Sequence, residues 1–252
     1  MSDVFPAPDT VRIPVRGDGI SPGTRLSNSR PLNRMFPVRH IHCVGRNFAD
    51  HAREMGATVA AAKAERGQPV FFCKPADAIV VDGVVPYPPG TQELHHEVEL
   101  VVALGRDAPA GVLDPVAAGD LIFGYGIGLD LTRRDLQAAA KAKGLPWDTG
   151  KAFDHSAPVS ELVPAADIGE LATRTLSLRV NGVLRQQSSL DQLIWDVPEI
   201  LHELSRLFAL RAGDLVFMGT PAGVGPLQPG DRFEAVLDGI ATLQGQVTAP
   251  TV

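Results

Sequence analysis

The sequence predicts an α+β, β-rich fold, and three observations lead to that prediction. Short apolar runs with the composition of strands recur from residue 38 onward. Two later segments carry Asn181-Gly182 and Asp238-Gly239 between such runs, which is typical of antiparallel hairpins because these turns need positive φ angles. Few stretches have the spacing of a helix. The hairpins disfavour a parallel, doubly wound α/β architecture.

The chain is predicted to consist of an N-terminal extension, residues 1–36, and one domain, residues 37–252. The extension is rich in Pro, Gly, Ser and Arg and lacks periodicity, which suits an arm or an irregular cover better than a core element. Strands are predicted at residues 38–44, 69–73, 78–81, 97–104 and 121–130, followed by the two hairpins.

Three helices are predicted, at about residues 48–66, 133–143 and 197–208. Asn47 is a candidate N-cap of the first helix and Thr132 of the second, because their side-chain oxygens can accept from free amides of the first turn. Pro198 is compatible with the third helix because it falls in the first turn.

The composition argues against several classes of protein. The formal net charge is −6 and there is no dense Lys/Arg stripe, so nucleic acid binding is not expected. No apolar run approaches the length of a membrane span, and the N-terminus does not read as a secretion signal. No membrane association is expected, and a cytoplasmic location is predicted. Cys43 and Cys73 lie in strand-like runs without metal-ligand spacing and are expected to be reduced core residues.

Residues 95–100, HHEVEL, place two histidines and two glutamates in a strand-like run. Alternate side chains of a strand share a face, so Glu97 and Glu99 lie on one face with His95, and His96 lies on the apolar face. Two carboxylates so close repel each other unless they are solvated, protonated or bridged by a cation. By itself, this motif marks a solvated edge strand more often than a cation site, because most acidic pairs are exposed.

Asp130 favours the cation site. It ends a glycine-bearing apolar strand just before the second predicted helix, a position that can face a pocket. With Glu97 and Glu99 it would offer an all-oxygen ligand set, which favours Mg²⁺, with Mn²⁺ or Ca²⁺ as alternatives, over Zn²⁺. His95 is expected to support these ligands, and His96 to be a hydrogen-bonded core histidine.

A candidate general base lies in the first predicted helix. His51 and Glu54 are three residues apart, so the carboxylate can hold the imidazole and raise its basicity. By itself, this spacing is more often that of an ordinary surface pair, so the assignment depends on the other motifs.

Four further side chains are candidates for binding a carboxylate or an oxyanion. Arg134 and Gln137 share a helical face, and Lys151 lies in DTGKAFD, although a single lysine is more often exposed. The glycine-rich MGTPAGVG lacks the P-loop pattern; it either presents Thr220 and backbone amides to an anion or is a plain turn.

Several stretches, taken in order over residues 38 to about 248, resemble the fumarylacetoacetate hydrolase family. They are VGRNFADHAREMG, FFCKPADAIV, LHHEVELVVALG, GYGIGLDLTRRDLQ, GLPWDTGKAFD, VNGVLRQ and MGTPAGVG. The resemblance implies a fumarylacetoacetase-type mixed β-roll with a few short helices, a catalytic domain at residues 37–252, and a homodimer.

The resemblance also implies roles for individual residues. It places a divalent metal on Glu97, Glu99 and Asp130. It implies a His51–Glu54 dyad on a short helix that orders over the substrate, with Lys151 near the metal. Substrate contacts are implied at Arg46, Arg134, Gln137 and Thr220.

Within the family, the chain is similar to acylpyruvate hydrolases, in particular to bacterial fumarylpyruvate hydrolases of gentisate breakdown. This implies metal-dependent hydrolysis of a carbon-carbon bond in a 2,4-dioxo acid, with fumarylpyruvate giving fumarate and pyruvate. In that scheme His51, oriented by Glu54, deprotonates the water, and Lys151 stabilises the developing oxyanion.

Three alternatives stay open at this point. The chain could be an oxaloacetate decarboxylase, since the same metal chemistry would serve. It could be an isomerase or decarboxylase of a 2-oxo-dienoate in aromatic catabolism. A catalytically silent metal or carboxylate binder is disfavoured, because it would not need His51, Glu54 and Lys151 beside three ligands.

Overall fold

The computed structural model describes residues 9–17, 34–54 and 65–250. In chain order, the strands of its first half are β1 Arg12–Pro14, β2 Met35–Pro37, β3 His40–Gly45, β4 Val70–Lys74, β5 Ile79–Val80, β6 Val84–Pro86, β7 Leu94–His96, β8 Val98–Leu104 and β9 Ile122–Leu129. The later strands are β10 Thr132–Arg133, β11 Ala157–Pro158, β12 Val163–Pro164, β13 Thr175–Val180, β14 Val183–Ser189, β15 Asp214–Phe217, β16 Gly225–Pro226, β17 Arg232–Leu237 and β18 Ala241–Thr248. The α-helices of these ranges are α1 Ala49–Glu54, α2 Arg134–Ala142, α3 Asp148–Lys151 and α4 Val197–Ser205.

The largest sheet has six strands in the order β12-β9-β8-β15-β3-β4. A five-stranded sheet has the order β14-β13-β17-β18-β6, a three-stranded sheet has the order β10-β7-β16, and two further sheets are the pairs β1-β2 and β11-β5. Most neighbouring strands are antiparallel, but β15 runs parallel to β3, β18 to β6 and β11 to β5. The predicted β-rich, mixed α+β architecture with few short helices is therefore confirmed.

Both predicted hairpins are present in the five-stranded sheet. Asn181 and Gly182, with φ angles of 52° and 79°, connect β13 to β14. The connection from β17 to β18 contains Gly239 at a φ of 68°. These turn residues adopt the left-handed conformation that the sequence signal requires.

Strand β8 is buried on both faces. Leu100 and Val102 belong to one hydrophobic cluster, and Val101 and Ala103 belong to a second cluster on the opposite face. Because β8 also has β9 and β15 as neighbours, it is an interior strand. A solvated edge strand, the alternative that the Glu97–Glu99 spacing left open, is wrong.

The predicted strand at residues 97–104 differs from the structure at its first residue. Glu97 lies outside any strand, between β7 and β8, and these two strands belong to different sheets. The faces alternate across this junction as predicted, because Leu94 and Val98 lie in the same hydrophobic cluster. The chain therefore changes sheets at the first of the two glutamates.

The helix positions agree with the sequence, but two predicted caps are wrong. The Asn47 amide instead joins loops, donating to Met218 O at 2.8 Å and accepting from Trp195 N at 2.8 Å. The N-cap of α2 is Arg133, whereas the Thr132 hydroxyl donates to Asp130 O at 3.1 Å. The Asn47 side chain is thus bound by distant loops, and the Thr132 hydroxyl is bound by Asp130 O and by Lys151 Nζ instead of by a helix amide.

The remaining helix predictions differ only in length. Most of the predicted extension of the first helix beyond α1 lies outside the described residues. Helix α4 has Pro198 in its first turn and begins at a capping box between Asp196 and Glu199. Helix α3 was not predicted. None of the helices in the ranges that the structure covers is long and apolar enough to span a membrane.

Part of the N-terminal extension contributes to the core. Strand β1 pairs with β2, and Ile13 is fully buried in the cluster that also contains Val101. The expectation that this segment is only a cover is therefore wrong for β1, while the domain boundary at residue 37 stays a prediction. Both cysteines are free, but only Cys43 is a buried core residue, since Cys73 is half-buried.

Candidate active site

Three buried carboxylates meet beside the junction of β7 and β8. Glu97, Glu99 and Asp130 each offer one oxygen within a set whose members lie within 4.8 Å of one another. The antiparallel pairing of β8 and β9 causes this, because Asp130, directly after β9, donates its N–H to Glu97 O at 2.8 Å. Residues far apart in the chain thus form one acidic cluster with less than a tenth of each side chain exposed.

Lys151, at the end of α3, lies within this cluster. Its Nζ donates to Glu97 Oε2 at 2.7 Å, to Asp130 Oδ2 at 2.5 Å and to Thr132 Oγ1 at 2.7 Å. An ammonium group has three N–H bonds, so all of them are used. The solvent-exposed alternative for this lysine is wrong, since only 3% of it is exposed.

Arg134, in the first turn of α2, forms an ion pair with Glu97. Its Nη1 also donates to Gln137 Oε1 at 2.6 Å, as the spacing of three residues predicted. Burial opposes ionisation of Glu97, but the charges of Lys151 and Arg134 outweigh it and hold the pKa of Glu97 well below its ordinary value. Glu97 is therefore ionised.

Lys74, which the sequence reasoning did not single out, binds the other side of Asp130. Its Nζ lies 2.9 Å from Asp130 Oδ1, 3.1 Å from Leu131 O and 2.5 Å from Lys151 O. The side chain ends β4 and is 2% exposed. A polar residue at the end of an apolar strand was the signal that identified Asp130, and the same signal was available for Lys74.

Glu99 differs from the other two carboxylates because no basic side chain within the described ranges pairs with it. Its Oε2 accepts a hydrogen bond from Gly219 N at 2.8 Å. Burial, followed by the negative charges of Asp130 and Glu97, raises the pKa of Glu99 well above its ordinary value. A positive charge beside Glu99 would lower this pKa again and favour the ionised carboxylate.

The cluster fits a hard divalent cation by the chemistry of its donors. All three candidate ligands are carboxylates, which suit Mg²⁺, Mn²⁺ and Ca²⁺ better than Zn²⁺. The three carboxylates face three basic groups, Lys151, Lys74 and Arg134, yet none of these reaches Glu99. Glu99, a buried carboxylate that none of these basic groups reaches, is the observation that supports a cation here.

Gly219 explains how a backbone amide reaches Glu99. This glycine has a φ of 92°, and a Cβ built on it would lie 2.7 Å from the Cβ of Asn47. A side chain at this position would therefore clash with the loop before α1. The MGTPAGVG loop is thus more than a plain turn, because it delivers an amide to the carboxylates and Thr220 to the pocket wall.

His51 and Glu54 form a hydrogen-bonded pair at the pocket. His51 Nδ1 lies 3.1 Å from Glu54 Oε2, and Glu54 also accepts from Gly223 N at 3.3 Å. Because a carboxylate can only accept, Nδ1 carries the proton and Nε2 is left as a proton acceptor. This is the arrangement that a general base needs.

One pocket brings together nine of the ten predicted site residues. They are Arg46, His51, Glu97, Glu99, Asp130, Arg134, Gln137, Lys151 and Thr220, and the tenth, Glu54, binds His51. Their proximity is a property of the structure, while their individual roles stay predictions.

The pocket wall also contains residues that the sequence reasoning missed. Lys141, on α2, faces the pocket beside Trp147, with its Nζ 4.8 Å from the centre of that ring. Burial, followed by the charges of Arg134 and Arg46, lowers the pKa of Lys141 to about 8. Its position one helical turn beyond Gln137 was the available signal.

The two histidines of HHEVEL have different environments. His96 is buried and its Nδ1 donates to Gln186 Oε1 at 2.9 Å, so the prediction of a hydrogen-bonded core histidine is confirmed. Gln186 also donates to Thr220 Oγ1 at 2.8 Å, which links β14 to the pocket. His95 accepts from Arg134 Nε at 3.4 Å, and burial and the Arg134 charge lower its pKa to about 4. It therefore contacts Glu97 only through Arg134.

Residues 40–248 match the family model of the fumarylacetoacetate (FAA) hydrolase C-terminal domain. The chain belongs to the fumarylacetoacetate hydrolase family. The match covers every residue of the acidic cluster and the His51–Glu54 pair, and it confirms the family that the ordered motifs resembled.

Two solved structures and one curated relative are similar to this fumarylacetoacetate hydrolase family member over most of its length. Fumarylpyruvate hydrolase from Pseudomonas aeruginosa, solved in complex with Mn²⁺ and pyruvate, is 41% identical with a TM-score of 0.85, covering 98% of this chain and 100% of that one. A putative fumarylpyruvate hydrolase from Burkholderia cenocepacia is 46% identical with a TM-score of 0.84 over 100% of both chains. The mitochondrial oxaloacetate tautomerase of Mus musculus is 41% identical over 224 residues, 88% of this chain and 98% of the relative. The chain therefore has the fold of the family, and the relatives that it resembles include both fumarylpyruvate hydrolases and an oxaloacetate tautomerase.

Proposed function

We propose that this chain hydrolyses the carbon-carbon bond of an acylpyruvate, with fumarylpyruvate as the substrate. The oxygen of water would bond to the C4 carbonyl carbon, and the bond between C3 and C4 would break. The acyl half would leave as fumarate, and C3 would take up a proton to give pyruvate.

The observation that carries this proposal is the His51–Glu54 pair beside the acidic cluster. Hydrolysis needs a base for the attacking water, and His51 Nε2 is free to accept a proton while Nδ1 is held at 3.1 Å by Glu54. Similarity to two fumarylpyruvate hydrolase structures over 98% or more of this chain supports the same substrate.

The basic side chains of the pocket suit a substrate with two carboxylates. Lys151 would stabilise negative charge on the C4 oxygen, but its three N–H bonds are used by Glu97, Asp130 and Thr132. Lys151 can act on the substrate only after one of these acceptors is released. Lys141 and Arg46, on the same pocket wall, would bind the distal carboxylate.

A divalent cation held by Glu97, Glu99 and Asp130 would supply positive charge for the oxygens of the 2-oxo acid. We propose Mg²⁺, with Mn²⁺ and Ca²⁺ as alternatives, because the ligands are carboxylates. If Glu97 and Asp130 bind the cation, Lys151 no longer has to donate to both of them, and it can then donate an N–H to the substrate.

Oxaloacetate chemistry is the second candidate function. The observation that favours it is the 41% identity to an oxaloacetate tautomerase over 224 residues. Tautomerisation or decarboxylation of oxaloacetate requires no attacking water. His51 would then move a proton of the substrate or be dispensable.

A paired assay with the same enzyme preparation tests the proposal. Loss of fumarylpyruvate, with equal yields of fumarate and pyruvate, is compared with enolisation and decarboxylation of oxaloacetate, each with Mg²⁺ and with chelator. We expect a much larger kcat/KM for fumarylpyruvate, dependent on the metal. A larger kcat/KM for oxaloacetate would replace the hydrolase by the second candidate.

The variant His51→Asn tests whether the His51–Glu54 pair takes part in hydrolysis. Loss of a general base lowers kcat by about 10²- to 10⁴-fold, so fumarylpyruvate hydrolysis should fall in this range while Mn²⁺ still binds. His155→Asn is the matched control, because His155 is exposed and its φ of 60° suits asparagine. Unchanged hydrolysis in His51→Asn would remove the pair from the reaction.

A homodimer is also proposed, from the family resemblance alone, and sedimentation velocity tests it. The cytoplasmic location stays a proposal as well. The curated oxaloacetate tautomerase of Mus musculus is a mitochondrial protein, and only the location of this chain in its own cell decides the matter.

A further inference from the structure

A second group of potential metal ligands lies away from the carboxylates. His40 and His42 are two residues apart on β3, and Cys73 on β4 is the cross-strand neighbour of His42. His40 Nε2 lies 3.2 Å from Cys73 Sγ, and the two imidazole rings are 4.4 Å apart at their centroids. One ligand atom from each of the three residues lies within 4.8 Å of the others.

His42 is the least satisfied member of this group. It is 2% exposed, and within the residues that the structure describes neither of its ring nitrogens has a hydrogen-bond partner. A buried polar atom without a partner costs about 1–3 kcal/mol, so such atoms need an explanation. The nearest carboxylate oxygen, Asp214 Oδ2, lies 3.8 Å from Nε2, which is too far for a hydrogen bond.

Asp214 does not supply a hydrogen bond to His42, because its carboxylate oxygens already accept from other donors. Arg39 donates to Asp214 Oδ1 at 2.7 Å and to Oδ2 at 3.0 Å, and Arg211 N donates to Oδ2 at 2.9 Å. On the other side of His42 lies the ring of Phe208, at a centroid distance of 4.9 Å. The imidazole therefore faces an apolar wall and an occupied carboxylate.

We propose that His40, His42 and Cys73 bind a borderline-soft divalent transition-metal ion of the Zn²⁺ class. The ligand atoms would be the Cys73 thiolate and one nitrogen from each histidine, with water in the fourth position. Thiolate and imidazole donors select zinc and similar ions, whereas the carboxylate cluster selects hard ions. Zn–N and Zn–S bonds of about 2.0 and 2.3 Å place neighbouring ligands about 3–4 Å apart, in keeping with the group.

The protonation states of the ligands are compatible with this site. Burial and the neighbouring His42 lower the pKa of His40, which favours the neutral imidazole that metals bind. Burial raises the pKa of Cys73, so its thiol would release a proton to solvent as the metal-sulfur bond forms. His40 and Cys73 are each half-buried, which gives the ion a route from the surface.

Cobalt is the probe for the experiment, because a thiolate-to-Co²⁺ charge-transfer band reports a metal-sulfur bond directly. Full-length protein is chelated, reduced and saturated with Mg²⁺, and Co²⁺ is then added. We expect the band to saturate at one Co²⁺ per chain and to disappear when Zn²⁺ is added. Absence of the band in this protein would overturn the proposal.

Two cysteine variants locate the site. Cys73→Ala should lose the band, whereas Cys43→Ala should keep it, because Cys43 is buried in the core on the face of β3 opposite His42. His42→Asn should weaken Co²⁺ binding by about tenfold or more. A band that persists in Cys73→Ala would contradict the assignment.

Further measurements control for variants that fail to fold and for cobalt that binds at the carboxylate cluster. Zn²⁺ should raise the Tm of the wild-type protein and leave that of Cys73→Ala unchanged, since an ion that binds only the folded state stabilises it. If the His42 variant fails to fold, His40→Ala replaces it, because His40 is half-exposed. Glu99→Gln should keep the cobalt band, and its loss there would contradict a site at His40, His42 and Cys73 that is independent of the carboxylates.

Discussion

Glu99 is the residue of the acidic cluster whose environment most clearly calls for a cation. The variant Glu99→Gln keeps the shape but removes the charge, so we expect Mn²⁺ affinity to fall by more than the roughly 10- to 100-fold that loss of an outer partner costs. Metal-dependent turnover should fall with it. Isothermal titration with Mn²⁺ and a kcat/KM measurement check both effects. Glu93→Gln, an exposed neighbour in sequence, is the control, and near-normal metal binding in Glu99→Gln would refute the ligand assignment.

Lys74 holds Asp130 from the side opposite Lys151. Lys74→Met removes the ion pair at 2.9 Å and leaves Leu131 O and Lys151 O without this donor. Breaking a buried pair costs about 3–5 kcal/mol, and we expect the lower end because Asp130 keeps Lys151. Urea unfolding measures the loss, and Mn²⁺ titration should show weaker binding. Lys143→Met, on the exposed side of the turn after α2, should change neither quantity.

Lys141 should give the enzyme a pH dependence on the alkaline side. Its pKa in the free enzyme is about 8, so the side chain is charged below this pH and neutral above it. If it binds the distal carboxylate, kcat/KM for fumarylpyruvate should fall as the pH rises through 8, mainly through KM. The pH profile of Lys141→Met should lack this step and should match the wild-type value at high pH. A step of equal size in the variant would assign it to another group.

The loop between β15 and β16 shows how an element fixes the site. Gly219 and Gly182 both have positive φ angles, but only Gly219 has neighbours where a Cβ would lie. Gly182→Ala should cost about 1–2 kcal/mol, the usual cost of a left-handed residue. Gly219→Ala should cost more and should also lower kcat/KM, because the amide that binds Glu99 must move. Thermal unfolding and activity of the pair of variants check this, and equal effects would show that the close approach is unimportant.

The elements also show how far the sequence could predict the structure. Period-two alternation and turn residues correctly predicted β8, β9 and the two hairpins, because these signals are local. Glu97 was placed in β8, because nothing local reveals that β7 pairs with strands from a different sheet. The caps Asn47 and Thr132 failed for the same reason, since their partners lie elsewhere in the fold or in the cluster itself.

For the candidate site as well, local signals were predictable from the sequence and long-range packing was not. Residue chemistry and ordered motifs identified the carboxylates and the His51–Glu54 pair, and the structure brings them into one pocket. Lys74 and Lys141 each had a local signal, at the end of a strand and one helical turn beyond Gln137, but many surface lysines share such positions. Only burial, which depends on long-range packing, separates these two lysines from the many at the surface.

At the scale of the molecule, the acidic cluster can persist without a metal. Glu97 and Asp130 are paired with basic groups, and the raised pKa of Glu99, which has no basic partner in the described ranges, favours its neutral form. We therefore expect chelation to abolish activity while the chain stays folded, and added Mg²⁺ to restore activity. Circular dichroism and thermal unfolding of the chelated protein check this. Loss of cooperative unfolding on chelation would show that the metal is part of the folding free energy.

The junction at Glu97 has a consequence for ion size. Glu99 and Asp130 are positioned by the six-stranded sheet, whereas Glu97 also depends on β7 of the three-stranded sheet. An ion bound by all three carboxylates would be held by residues of two separate sheets. The ionic radius that it prefers would therefore depend on how closely the two sheets approach each other, and a change in that distance would shift the choice between small Mg²⁺ and large Ca²⁺.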